Sequence, residues 1–162
     1  MNYLVELASI EDIGQILQLY SDRMKWFKEN EIKQWSRYLQ NHPKEEFIKA
    51  IENKNYYIIK LGSELIAGFE LSTDSKDWND NTLQAYYIYK VVTKVGYKKV
   101  GKVIFDICIE IAKRDGRKYL RLDCLKSNQK LNDIYENYGF KLIRYGSNDR
   151  YSYSLREMEI NV

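Results

Sequence analysis

Two stretches of this sequence carry residue types and spacings suited to chemistry on a small molecule. The first reads Val91-Val92-Thr93-Lys94-Val95-Gly96-Tyr97-Lys98-Lys99-Val100-Gly101-Lys102. Four lysines (Lys94, Lys98, Lys99 and Lys102) gather where a Tyr- and Val-rich run gives way to a helical apolar period. A helix beginning there presents unpaired backbone N–H groups and a partial positive charge. Gly101 would let a ligand approach its first turn, and Gly96 frees the backbone before it. Such a junction suits phosphate or pyrophosphate. A solvated basic turn ahead of an ordinary helix fits the same residues equally well. In the second stretch, Leu120 to Phe140, Asn128 and Tyr135 lie seven residues apart. Two helical turns place them on one face. A capping Asn can also offer its amide to a ligand, and a Tyr can carry a proton into a cleft. A plain cap and a packed aromatic are the simpler roles.

The elements that must hold these residues follow from periodicity. Tyr3–Leu7 reads as a strand. Ser9, with Asp12 three residues on, opens a helix in a capping-box arrangement. Ile13, Ile16, Leu17, Tyr20, Met24 and Phe27 form its apolar stripe. Asn30–Gln40 shows no clear pattern. Asn41 or His42 caps the next helix, with Pro43 at its first position, and Phe47, Ile48 and Ile51 on its inner face. Tyr56–Leu61 and Glu64–Leu71 are strands joined at Gly62-Ser63. Ser72–Asn81 is a polar loop carrying Trp78, and Leu83–Thr93 is a long strand. Val100–Arg114 is a helix with Val103, Ile104, Ile107, Cys108 and Ile111 inside, ended by Gly116. Tyr119–Cys124 is a strand, Asn128 caps a helix through Tyr138, and Lys141–Tyr145 and Tyr151–Leu155 close the chain as strands. The order β-α-α-β-β-β-α-β-α-β-β predicts a mixed α/β (α+β) fold. Its sheet is antiparallel in the first half and contains a right-handed strand–helix–strand unit in the middle.

Composition bounds the rest. With 162 residues, a single domain over 1–162 is expected. Apolar residues at 44% and charged residues at 30% describe a globular chain. The net charge of +3 is too small for a general nucleic-acid binder. No apolar run approaches the ~20 residues that span a bilayer. The opening MNYLVELAS has neither a basic n-region nor a cleavage site, so a cytoplasmic location is expected. Cys108 and Cys124, each in an apolar run, read as free core thiols. A lone histidine, His42, excludes a multi-histidine zinc site, and no metal is expected. Neither a Walker A loop nor a G-x-G-x-x-G is present.

Leu120–Phe140, with its strand, Asn128 cap, helical Tyr135 and Gly139-Phe140, resembles the C-terminal motif of the GNAT N-acetyltransferase superfamily. The Leu83–Arg114 segment resembles the family's acetyl-CoA motif of long strand, phosphate loop and helix. Ala8-Ser9-Ile10-Glu11-Asp12 ahead of an amphipathic helix fits the family too, as does the element order over nearly the whole chain. The resemblance implies a mostly antiparallel sheet of six to seven strands flanked by helices, with a central splayed parallel pair. The loop departs from the family's Arg/Gln-x-x-Gly-x-Gly/Ala. Aligned on Gly101, the Arg/Gln position holds Gly96, and Lys99 replaces the first motif glycine. Lysines there would hold phosphate as point charges, not as a shaped cradle.

The resemblance further implies transfer of an acetyl group from acetyl-CoA to a primary amine of a small molecule or peptide, by direct attack on the thioester. Backbone groups of Val91, Val92 and Thr93 would hold the pantetheine. A strand N–H near Val92 would polarise the thioester carbonyl, a role often worth ~3 kcal/mol per donor. N–H groups from Tyr97 through Lys98, Lys99, Val100 and Gly101 to Lys102 would take the pyrophosphate. Tyr135 would protonate the departing thiolate, and Asn128 would hold the cofactor or order a water. The amine must first lose a proton. Glu70 is the first candidate to accept it through water. Asp123 is the second, with a cap on the following turn its plainer role. Trp26, Trp35, Tyr38, Trp78, Tyr87 and Tyr89 are candidates to wall a cationic acceptor, although core packing suits most of them. Proteins of this kind often dimerise through their C-terminal strands, so a homodimer is an expectation. Neither nucleic acid nor membrane is an expected partner. A catalytically silent acyl-CoA or amine sensor is the alternative.

Overall fold

The computed structural model describes residues 2–35 and 37–161. Strand β1 (Tyr3–Leu7) leads into Ser9, whose N–H donates to Asp12 Oδ2 at 2.8 Å. This link opens a 3-10 turn, Ile10–Asp12, that runs directly into α1 (Ile13–Glu29). Helix α1 buries Ile16, Leu19 and Tyr20. Within the stretch that lacked a pattern, Tyr38–Asn41 form the single turn α2. Helix α3 (Lys44–Glu52) starts one residue later than expected. Pro43 has ψ of 163°, an extended value, and is the cap rather than the first helical residue. Asn41 ends α2 and His42 is its C-cap, so neither caps α3.

The hairpin β2 (Tyr56–Leu61) and β3 (Glu64–Ser72) follows, then β4 (Ala85–Thr93), α4 (Val100–Arg114) and β5 (Tyr119–Leu125). Helix α5 (Gln129–Tyr138) has Asn128 as N-cap and Gly139 as C-cap. The chain closes with β6 (Lys141–Ser147) and β7 (Ser152–Glu159). The seven strands hydrogen-bond in the order β1-β2-β3-β4-β5-β7-β6. Pairs β1–β2, β2–β3, β5–β7 and β7–β6 are antiparallel. The β4–β5 pair is parallel, with Ala85–Tyr87 opposite Tyr119–Arg121. Fold class, strand number and the parallel pair are as the sequence predicts. No helix of the described residues is long and apolar enough to cross a membrane.

The chain groups into two compact units, one of residues 1–70 with 90–104 and the other of residues 71–89 with 105–162. In the first, Ile16, Tyr20, Phe47, Tyr56, Ile58 and Val92 form the core, with Trp35 and Tyr38 packed on it. In the second, Trp78, Ala85, Tyr87 and Leu155 form a cluster lined by Tyr89, Tyr119 and Tyr153. Cys108 and Cys124 are buried free thiols. Burial pushes both thiols upward, Cys124 to about 11, so neither is a thiolate near neutral pH.

Candidate functional site

In the first unit, the end of β4 is bent and pinned. Lys90 has φ of 52° inside the strand, the left-handed region that a non-glycine residue rarely enters. A residue so placed mid-strand marks a bulge. The bulge is held by α1, because the Tyr20 hydroxyl donates to the Lys90 carbonyl and shares a 2.9 Å hydrogen bond with the Tyr56 hydroxyl. Nothing in a lysine within a β-branched run announces such a bend. Arg23, also on α1, donates from Nη2 to the Thr93 carbonyl and hydroxyl oxygens, each at 2.9 Å. The Val92 side chain is buried in the core. What Val92 can offer a ligand is therefore main chain.

The loop after β4 is tied to β3. The Lys94 N–H donates to the Ile66 carbonyl at 2.7 Å. The Lys94 ammonium and the Tyr97 hydroxyl both reach the Glu64 carboxylate. These bonds, Lys94's first, hold that carboxyl below its ordinary range. Lys94 is thus a strut with its charge answered, and leaves the expected lysine cluster. Lys98, Lys99 and Lys102 are exposed at the start of α4, while Val100 is buried. Gly96 has φ of 96° and Lys99 φ of 64°. Lys99, which replaces a motif glycine, still holds the left-handed turn that glycine would make, at a cost of about 1–2 kcal/mol. A Cβ built on Gly101 would meet nothing within 4 Å, so the first turn of α4 is open to a ligand. Shape, charge and clearance here fit a phosphate group.

Glu70, on β3, is buried and accepts from Lys90 Nζ at 2.9 Å. Lys90 Nζ lies 3.9 Å from Glu46, which pairs with His42 Nδ1 at 2.9 Å. Trp35 and Tyr38 stack on Tyr20, with ring centres 5.6 and 5.1 Å away. Trp26 lies under the Arg23 guanidinium at 5.1 Å. Trp35 and Tyr38 therefore pack onto the core.

The second unit carries Asn128 and Tyr135. Asn128 Oδ1 accepts from the Leu131 N–H at 3.1 Å, as a cap should. Tyr135 is half-buried, edge-on to Phe105 at 5.7 Å and to Phe140 at 6.1 Å. Burial pushes its hydroxyl up, and nearby Cys124 and Asp123 add to the shift. The phenol is therefore a held proton. Sequence reasoning missed Asn132, buried one turn after Asn128. Its Nδ2 donates to the carbonyls of Asn128 (2.9 Å) and Leu125 (3.1 Å). Its Oδ1 accepts from Arg156 Nε at 3.0 Å. Arg156 also reaches the Phe140 carbonyl and Glu136, each at 2.9 Å. The i to i+4 spacing of Asn128 and Asn132 was a visible signal; a partner 24 residues later in a strand was not.

Trp78 is 2% exposed, and the Arg121 guanidinium lies 4.3 Å above its ring. Arg121 donates to the Tyr87 hydroxyl and the Asp80 carbonyl at 2.9 Å, and to Glu157 at 2.8 Å. Trp78 and Tyr87 are thus core rather than open wall. Asp123 lies on β5 opposite Leu155 of β7. Burial pushes its carboxyl up to about 7, and the adjacent Asp77 carboxylate adds to the shift. Its Oδ2 is shut off from solvent and accepts no hydrogen bond, so that oxygen caps no turn.

The family model described as "Acetyltransferase (GNAT) family" matches residues 16–140. No curated protein matches the sequence. Among solved structures, an acetyltransferase of the GNAT family from Listeria monocytogenes 4b F2365 is similar at 23% identity and a TM-score of 0.79, over 97% of this chain and 94% of that one. The PaiA N-acetyltransferase from Thermoplasma acidophilum, solved with coenzyme A, is 19% identical with a TM-score of 0.73, over 98% and 99%. A GNAT-family acetyltransferase from Streptococcus agalactiae 2603 is 14% identical with a TM-score of 0.80, over 99% and 96%. At these identities the structures speak to the fold, and the family model speaks to descent. The family match takes in the motif at Asn128–Phe140, and the chain belongs to the acetyltransferase (GNAT) family.

Proposed function

We propose that residues 1–162 act as one cytoplasmic N-acetyltransferase domain that moves an acetyl group from acetyl-CoA to a primary amine of a small molecule or peptide. The family uses acetyl-CoA, which supplies the activated acyl group as a thioester. The observation that carries the reading is the turn before α4. Lys99 keeps left-handed geometry at the motif-glycine position, and Gly101 leaves the first helical turn clear.

In this reading, N–H groups of residues 97–102 and the Lys98 and Lys99 ammonium groups bind the pyrophosphate. Main-chain groups of Val91, Val92 and Thr93 align the pantetheine and polarise the thioester carbonyl. Asn128, whose Oδ1 is spent on its cap, offers Nδ2. Tyr135 gives its proton to the leaving sulfur; a phenol held protonated by its surroundings suits a general acid. Glu70, whose charge Lys90 answers, is the first carboxylate to take the amine's proton through water, and Asp123 is the second. In this reading the chain acts as a homodimer.

Calorimetric titration with acetyl-CoA, with CoA and desulfo-CoA as controls, tests the reading. Micromolar binding followed by acetylation of an amine panel is expected. Binding without turnover on any amine would favour a silent sensor, and no binding would remove the acetyl-CoA claim.

A further inference from the structure

Lys90 is fastened inside the first unit by its main chain and by its side chain. Its carbonyl accepts from the Tyr20 hydroxyl, at the bulge where φ reaches 52°. Its ammonium donates to Glu70 Oε1 at 2.9 Å and stands 3.9 Å from Glu46 Oε2. In the closer pair, the Lys90 and Glu70 side chains are 14% and 12% exposed. Taking two charges this far out of water is costly, and apolar side chains in their place often serve stability as well or better. Stability therefore gives a poor account of this pair, and its geometry gives a better one.

Lys90 takes Oε1 of Glu70, and Oε2 has no hydrogen bond among the described residues. Glu46, on α3, spends the oxygen nearer to Lys90 on a 2.9 Å hydrogen bond with His42 Nδ1. The ammonium is thus left to Glu70. The Phe47 ring lies 6.0 Å from it, within reach of a cation–π attraction. A lysine is ordinarily a point charge on a flexible stem; here the charge is held from several sides. Glu70 also lies opposite Tyr56 in the β2–β3 register. The Tyr56 hydroxyl bonds to the Tyr20 hydroxyl, which in turn holds the Lys90 carbonyl. The carboxylate and the bend in β4 therefore share one set of supports.

We propose that Lys90 is a positioning residue for the reaction: its ammonium holds Glu70 by Oε1, which leaves Oε2 to take the amine's proton through water. The inference rests on the reading of Glu70 as the first carboxylate to take that proton. Lys90 touches neither the amine nor acetyl-CoA in this scheme and acts through Glu70. It joins two jobs in one residue. Its main chain bends the strand just before Val91, Val92 and Thr93, the residues assigned to the pantetheine, and its side chain orients the carboxylate. The bend and the base are set together.

The test uses the full chain with acetyl-CoA and n-butylamine, followed by release of the CoA thiol, together with carbon-13 NMR of the glutamate carboxyls. Lys90→Met deletes the ammonium and keeps an unbranched side chain, so the left-handed φ is no harder to hold. It should lower kcat at least tenfold with the KM for acetyl-CoA unchanged, and Lys90→Arg should restore most of the loss. In a Glu70→Gln background, Lys90→Met should cost nothing further, because the two residues act as one unit. The Glu70 carboxyl signal should move in Lys90→Met. Full turnover in Lys90→Met, or a loss as large without Glu70 as with it, the mark of a merely structural role, would overturn the proposal. So would a Glu70 signal that ignores the substitution, whatever the turnover. Full turnover in Glu70→Gln would remove the base role itself, and this proposal with it, while acetyl-CoA binding read by calorimetry would stand.

Discussion

Arg156 Nε donates to Asn132 Oδ1 at 3.0 Å, joining the middle of β7 to the second turn of α5. The same guanidinium satisfies the Phe140 carbonyl at 2.9 Å, where the chain leaves the helix. It thus fixes the helix that carries Asn128 and Tyr135 at two points. Arg156→Met keeps much of the apolar stem but leaves both acceptors unsatisfied. Buried acceptors cost about 1–3 kcal/mol each when orphaned. Chemical denaturation should show a loss of about 3 kcal/mol.

Tyr135→Phe removes one oxygen and leaves the edge-on packing against Phe105 and Phe140 in place. Turnover should fall about 10²-fold or more, the range of a positioned general acid. The acetyl-CoA dissociation constant should stay the same. Unchanged turnover would take Tyr135 out of the acid role.

Lys99 separates shape from charge. Lys99→Ala and Lys99→Gly both delete the ammonium, but only glycine relieves the left-handed φ of 64°. The glycine variant should be the more stable of the two by about 1 kcal/mol in thermal or denaturant unfolding. Both should weaken acetyl-CoA binding by the same factor, and the double change Lys98→Ala with Lys99→Ala should weaken it further. An unchanged dissociation constant would mean that the phosphates bind elsewhere.

The Asp123 carboxyl gives stability a pH dependence of known sign. Its folded value of about 7 lies above the ordinary carboxylate range near 4. Between those values the folded state binds more protons than the unfolded one. Stability from this group is therefore present below pH 4 and declines as pH rises through 7. Asp123→Asn should remove that decline, so the variant should gain on the parent protein from pH 5 to pH 8. Parallel pH profiles of the two proteins would contradict the buried carboxyl pair.

Much of the fold was legible because periodicity records burial. The stripe of α1, the strands from Tyr56 onward and the Asn128-capped helix follow from spacing alone. Asn128 and Tyr135 could be picked out because both sit on one helix, where sequence distance equals spatial distance. The rest depended on partners that the chain does not place side by side. Lys94 read as one more phosphate lysine until Glu64, 30 residues earlier, was seen to hold it. Asp123 read as a turn cap because its neighbour Asp77 lies 46 positions away, in a loop with no pattern of its own. Lys90 gave no sign of a bend at all, since a lysine rarely adopts the left-handed backbone.

The Tyr20–Tyr56 hydroxyl pair beneath the Lys90 bulge rests on a missing side chain. A Cβ at Gly68 would come within 2.5 Å of the Tyr56 hydroxyl and 2.9 Å of its ring. A single methyl there must displace Tyr56, and with it the support under Tyr20 and the bent stretch of β4. Gly68 is thus a remote dial on the strand that ends at Thr93. A substitution at that position would act on β4 through Tyr56 and Tyr20.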